Sequence, residues 1–349
     1  MWICNGSNGT IDRIAQDGAA TQYPLPSGDV CGSVTPNPDG NVYFGWFNTQ
    51  NSLAYGIGQI TPLGIMRLFN VTGSDGQSVD TMTSASDGNV WSATNGTDIW
   101  RTTPQGGTTV FPSTVSWGVI VRGADKNLWG TFSTPRGFTG IARISVADGS
   151  VAQMYSGAAF GIVGASDGGI WFGQGNAMAR LDPATGDVIS YPIDRTVYPY
   201  YMMQGRAGLL YFLDTRWFPP HLGRYNIRTH KLFKDLNLQG SHFEHAALGP
   251  DSNIWISDFR SPQFNVYVAD LITPTPSSIT VGVGQSTPLS VTEKGYTKSL
   301  SATTSDPAIA TVTQTGSNQF SVTGVAVGSC SITLSDNKGN SEEVPVTVN

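Results

Sequence analysis

The sequence predicts an all-β chain: a seven-bladed β-propeller followed by a small β-sandwich. Three observations carry this. First, a turn-and-strand phrase ending in a large aromatic recurs, with its aromatic at positions 2, 43, 91, 129, 171, 211 and 255, a period of about 42 residues. Periods near 40–45 with several short strands per repeat indicate propeller blades. Second, 42 Gly, 20 Pro and only 13% charged residues suit turns between short strands rather than helices. Third, the composition changes after residue 272: aromatics nearly vanish, and Val, Thr and Ser take over.

The phrase is clearest at Asp87-Gly88-Asn89-Val90-Trp91, and Asp39-Gly40-Asn41-Val42-Tyr43 and Asp167-Gly168-Gly169-Ile170-Trp171 are close copies. Asp-Gly makes the turn, and an apolar-aromatic strand follows. Met1-Trp2 reads as a copy without its turn. A strand of the form Ile-x-Arg-Ile comes next (Ile11-Asp12-Arg13-Ile14, Ile141-Ala142-Arg143-Ile144), then a turn, then an outer strand ending in Pro (Gln22-Tyr23-Pro24, Ser190-Tyr191-Pro192). Proline suits an outermost strand, where a missing N–H costs least. Small residues before the phrase, as in Gly161-Ile162-Val163-Gly164-Ala165, suit an innermost strand at the crowded axis. The repeated arginines are expected to bond a neighbouring blade's backbone or carboxylate.

The ring closes irregularly. Blade one has no innermost strand in the sequence, and blade seven has no clear outer strand, unless the stretch after Leu271 serves. A terminal segment or a partner chain would then seal the ring. The propeller is assigned to residues 1–272, a Thr/Pro/Ser linker to 273–278 and the sandwich to 279–349, where short alternating strands recur every 8–12 residues.

At the level of repeat grammar, residues 1–272 resemble the streptogramin (virginiamycin B) lyase family of seven-bladed propellers. Ser305-Asp306-Pro307-Ala308-Ile309-Ala310-Thr311-Val312 and Val322-Thr323-Gly324-Val325-Ala326-Val327-Gly328 resemble bacterial Ig-like group 2 domains. The first resemblance implies lyase chemistry resting on a Glu with a His two residues on at the end of one Trp strand, a His from a neighbouring blade, and Mg²⁺. The strand ends here read Ser92-Ala93-Thr94, Gly130-Thr131, Phe172-Gly173-Gln174, Phe212-Leu213-Asp214 and Ile256-Ser257-Asp258, and none carries Glu-x-His.

The four histidines, His221, His230, His242 and His245, all fall in blades six and seven. His242, Glu244 and His221 could supply acid–base chemistry or hold a divalent metal near the axis. Strand alternation puts His242 and Glu244 on one side and His245 on the other, so convergence needs a bulge. The alternative is polar strand-edge residues. Trp217, Phe218, His221, Tyr200, Tyr201 and Trp46 are candidates for stacking on a sugar face or filling a protein pocket. Trp217-Phe218 stands out because it sits in a long insertion. No cofactor is expected; Mg²⁺ at the histidines or Ca²⁺ in the Asp turns is the alternative. Cys4, Cys31 and Cys330 are expected as buried thiols, with a Cys4–Cys31 bridge as the alternative.

A net charge of −6 without a basic stripe argues against nucleic acid, and no apolar run is long enough to span a bilayer. Met1 leads straight into strand-like sequence without a leader, as in a trimmed mature chain or a virion protein released on lysis. The reading is a non-enzymatic platform, a capsid decoration or tail adhesin of a phage, located on a virion or otherwise on a cell surface. Its partners would be virion proteins or a host-surface glycan, with self-association into a homo-oligomer compatible. The alternative is a lyase acting on a streptogramin or a carbohydrate.

Overall fold

A carboxylate clamp builds each blade from its turn. In the computed structural model Asp87 opens the turn, Gly88 takes φ +80°, and Asn89 N–H donates to Asp87 Oδ1 at 3.0 Å. The second Asp87 oxygen accepts the Trp91 indole N–H at 3.2 Å. Blade two repeats this with the Tyr43 hydroxyl on Asp39 at 2.7 Å. Blades four and five repeat it with Trp129 on Asp125 at 3.1 Å and Trp171 on Asp167 at 3.1 Å. Tyr43, Trp91, Trp129 and Trp171 are all fully buried, so the bond satisfies a polar atom that burial would otherwise leave unpaired. Blade four has Lys126 at φ +66° where its neighbours have glycine, a left-handed conformation that costs an L-residue about 1 kcal/mol.

The described residues are 1–349 except 7, 16–17, 75–77, 158, 194–196, 206–207, 215–220, 238–242, 250–253, 259–263, 268–271, 294–298 and 337–340. Within strands, the side chains at 152–154, 156, 233–237, 243–245, 257–258 and 264–267 are also undescribed. The described residues contain strands and no helix, as expected. Seven antiparallel sheets form the blades, five of four strands and two of three. The inner strands of blades two to seven are Asp29–Pro36, Val79–Ser84, Ser116–Arg122, Ile162–Gly164, Tyr200–Gln204 and Phe243–Leu248. Blade one has only Trp2–Asn5, Thr10–Ile14 and Ala20–Pro24; Trp2 pairs with Arg13 just as Trp91 pairs with Arg101. Blade one therefore lacks its inner strand, and blade seven lacks an outer one, as the sequence indicates. The stretch after 271 does not complete blade seven: Ile272–Thr275 pairs with Ser286–Glu293 in the second domain.

The hydrophobic cores lie between blades. Trp91, Ala93 and Ile99 pack with Trp117, Leu128 and Ile144 across blades three and four. Equivalent clusters join blades one and two, two and three, four and five, five and six, and six and seven. Among the described residues none joins blade seven to blade one. Side chains also bond from blade to blade: Asn37 donates to Gly88 O at 3.3 Å, and Ser86 to Lys126 O at 2.6 Å.

The repeated arginines differ in part from expectation. Arg13 does donate to a neighbouring blade's backbone, Pro62 O, at 2.9 Å. Arg143 and Arg180 pair within their own blades, on Asp125 at 3.1 Å and Asp167 at 2.8 Å, and Arg101 lies over the rings of Trp91 and Phe111. The phrase's own carboxylate is the nearest anion, because register places each arginine opposite the aromatic. Cys4 and Cys31 form a disulfide, where free thiols were the leading expectation, linking blade one to blade two's inner strand. Cys330 is free.

The second domain is a sandwich of two four-stranded sheets. Leu289, Val322, Ile332, Leu334, Val344 and Val346 fill its interior. Arg228, in a turn of blade six, pairs with Glu343 of this domain.

The clamp makes stability depend on pH. Burial alone would raise the Asp167 carboxyl, but Arg180, the Gly169 N–H and the Trp171 indole hold it below its ordinary value. A carboxyl depressed in the folded state contributes stability that is fully present above its unfolded value, near 4, and is lost as pH falls through the folded value. Asp167→Asn is therefore expected to cost about 1 kcal/mol near neutral pH, after screening of this partly exposed pair. The difference from the parent should shrink below about pH 4. Urea midpoints in neutral and acidic buffer measure it.

Candidate functional site

Strand order divides the ring into two faces. Each blade runs from inner strand through the Asp turn to the aromatic strand, then through a hairpin to the third strand and on to the outer strand. The Asp turns and the third-to-outer turns therefore share one face. The hairpins after the aromatic strands and the crossings into the next inner strand share the other. The first face repeats and carries the clamps. Arg228, and with it the contact to the second domain, also lies there. The sequence-predicted candidates fall on the second face.

There the crossing from blade five to blade six builds an aromatic cluster. The Phe160 ring lies 5.5 Å from Tyr198 and 5.0 Å from Tyr200, both tilted, and all three are half-buried. Phe160 opens blade five's inner-strand segment and Tyr200 opens blade six's, so small residues between them let the rings meet. Gly161 is one: a Cβ there would come within 2.8 Å of Met202. The crossing is tied down by Asp214, 2% exposed, whose Oδ2 accepts the Tyr198 N–H at 2.8 Å. Asp214 pairs in register with His221 across the blade-six hairpin, so the acid and the imidazole begin the same loop.

Five of the six inner strands carry a register shift, at Cys31/Val34, Val79/Thr81, Trp117/Ile120, Tyr200/Met203 and Phe243/His245. All lie in the half of the strand next to this second face. Bulges re-aim side chains and are frequent beside functional sites. The shift at Phe243/His245 is the irregularity that convergence around Glu244 required; at Tyr200/Met203, Tyr201 takes φ +39°.

The candidates fare differently. Tyr200 and His221 are half-buried on the second face, and Tyr201 packs on the blade six–seven core. Trp46 is a correction: at 4% exposure it sits in the blade one–two core with Phe44 and Ile60, so it has no ring face to offer. Tyr55 and Phe132 are likewise buried, whereas Phe138 is exposed. Trp217, Phe218 and His242 lie outside the described residues, and Glu244 is described only as backbone of the blade-seven inner strand. Among the described residues no three His, Cys, Asp or Glu side chains gather as a metal site. His230 has a packing role on the other face, stacked on Tyr191 at 3.9 Å. Sequence reasoning passed over Phe160 and Asp214. The readable signal for Phe160 was an aromatic opening a strand of otherwise small residues.

This face belongs to a known class of propeller. The virginiamycin B lyase family matches residues 1–261, and the bacterial Ig-like domain of group 2 matches residues 269–348. The chain belongs to the virginiamycin B lyase family. Among solved structures it is similar to a catalytically inactive virginiamycin B lyase from Staphylococcus aureus with quinupristin, at 23% identity and TM-score 0.59, covering 73% of this chain and 87% of that one. A streptogramin B lyase structure matches at 20% identity and TM-score 0.61, covering 76% and 89%. The WD40 propeller domain of Doa1 matches at 13% identity and TM-score 0.57, covering 74% and 86%. At these identities the likenesses show the fold. Comparison with curated protein sequences returned no match.

Asp214→Ala is expected to destabilise the protein by about 2 kcal/mol, because it strands the Tyr198 N–H in a nearly dry site. Hydrogen exchange at 197–200 should accelerate more than in the Asp turns.

Proposed function

We propose that this protein is a non-enzymatic binding protein whose propeller presents its crossing-and-hairpin face to a glycan, while the Ig-like domain attaches it to a larger assembly. The observation that carries the reading is the Phe160–Tyr198–Tyr200 cluster. Three half-buried rings braced by a buried carboxylate offer the apolar surface on which sugar rings stack. The Arg228–Glu343 pair supports a division of labour, since it joins the Ig-like domain to the opposite face. A rigid platform with an attachment module suits display on a surface, of which a phage capsid or tail is our preferred case. Other virion proteins would then be the attachment partners.

Lyase activity is the second reading, favoured by the family and by the register shift at Glu244. The two separate on one protein sample. Binding to bacterial surface oligosaccharides, followed by titration calorimetry, should be saturable and weakened about tenfold or more by Tyr200→Ala, the effect of about 1.4 kcal/mol. Incubation with quinupristin should leave its ring intact by mass spectrometry. Ring opening that disappears in Glu244→Ala would overturn the binding-only reading.

A further inference from the structure

The seam between blades seven and one contains a cavity of about 540 Å³, well away from the aromatic cluster. Its walls are Trp2, Ile3 and Cys4 of blade one, Gly32–Val34 of blade two's inner strand, Val79 and Asp80 of blade three, and Ala246, Ala247, Trp255 and Ile256 of blade seven. It occupies the place where every other blade has an inner strand.

The repeat supplies its own control. The aromatics Tyr43, Trp91, Trp129 and Trp171 are 0% exposed and Tyr211 is 2% exposed, each behind an inner strand. Trp255, beside the seam, is 9% exposed, and Trp2 is only half-buried. The backbone agrees. Met1 and Ile14 form a hydrogen-bonded pair, Met1 O accepting Ile14 N–H at 2.8 Å, so pairing alternates and Trp2 and Cys4 turn their N–H and C=O groups the other way. In blade three the corresponding groups of Trp91 face Thr83 of the inner strand. In blade one they face the cavity.

From this we infer that the seam is a peptide-binding slot that takes one extended strand of a partner polypeptide, antiparallel to Trp2–Asn5. An occupant would extend the three-stranded blade-one sheet and continue the ring of inner strands, restoring blade-to-blade contacts on both sides. Strand addition of this kind draws affinity from ladder hydrogen bonds and selectivity from alternate side chains. The existing inner strands specify those side chains. Opposite the aromatic stand Thr35, Thr83, Val121, Val163, Met203 and Ala247; opposite the next residue stand Val34, Met82, Ile120, Ile162 and Ala246. The slot therefore prefers a β-branched or small residue across from Trp2 and an aliphatic one across from Ile3. Asp80, the one charged residue of the lining, favours a partner with Lys or Arg over one with Asp or Glu.

The probe is a fluorescein-labelled peptide copying residues 116–124, which carries Ile120, Val121 and Arg122 in this pattern. Fluorescence anisotropy with the 349-residue protein should show saturable binding. A peptide N-methylated at the Val121 position, which cannot donate to the ladder, should bind at least about tenfold more weakly. Ser33→Trp, which fills the slot from blade two, should abolish binding while the circular dichroism stays that of the parent. Because the peptide comparison uses the parent protein, it stands whether or not that variant folds. Equal binding of the two peptides, or no binding up to about 1 mM, the weak end of specific recognition, overturns the inference.

Discussion

A carboxylate that holds an aromatic side chain by its polar edge is the interaction on which the ring depends. A propeller blade must bury a large ring against its neighbour, and an indole or phenol brings a polar atom with it. Asp39, Asp87, Asp125 and Asp167 solve this locally, four residues upstream of the aromatic they hold. The same carboxylates fix their turns through a backbone N–H, and in two blades they also receive an arginine from the next strand. Turn geometry, strand direction and aromatic placement are therefore set together. Blade-to-blade cores can then form from rings that arrive in equivalent positions.

That economy explains what could be read in the sequence. The period, the strand order of a blade, the missing inner strand of blade one and the start of a second β domain follow from short-range patterns repeated many times. The resemblance to the virginiamycin B lyase family rests on the same grammar. What stayed hidden depends on contacts between distant segments. Trp46 has the sequence context of an exposed loop aromatic, yet Phe44 and Ile60 close over it. The Cys4–Cys31 bridge needs two blades to be adjacent, and spacing alone left it open beside free thiols. The arginines go to their own blade's carboxylate because of register, which a one-residue shift would alter. Of the candidate site, Tyr200 and His221 were legible as aromatics and imidazoles outside the pattern. Asp214 was not, because it looks like a strand-end residue until Tyr198 folds back on it.

The two faces of the ring carry different burdens. The turn face repeats and is stabilised by clamps, so variation there is costly. The opposite face holds the bulged halves of the inner strands, the crossing with Phe160, Tyr198 and Tyr200, and the hairpin that starts at Asp214 and ends at His221. Departures from the repeat on that face do not disturb the clamps, which leaves it open to diversify in binding. The seam at blade one is a third kind of place, where the repeat is interrupted rather than varied.

The claim that the clamp organises the blade is tested most directly by a double-mutant cycle on Asp87→Ala and Trp91→Phe, read as unfolding free energy. Trp91→Phe removes the indole N–H and keeps an aromatic ring; Asp87→Ala removes its acceptor. The account predicts a coupling of about 1 kcal/mol or more, the scale of a buried bond to a charged group. Additivity of the two losses to within about 0.3 kcal/mol, the behaviour of independent sites, would contradict it.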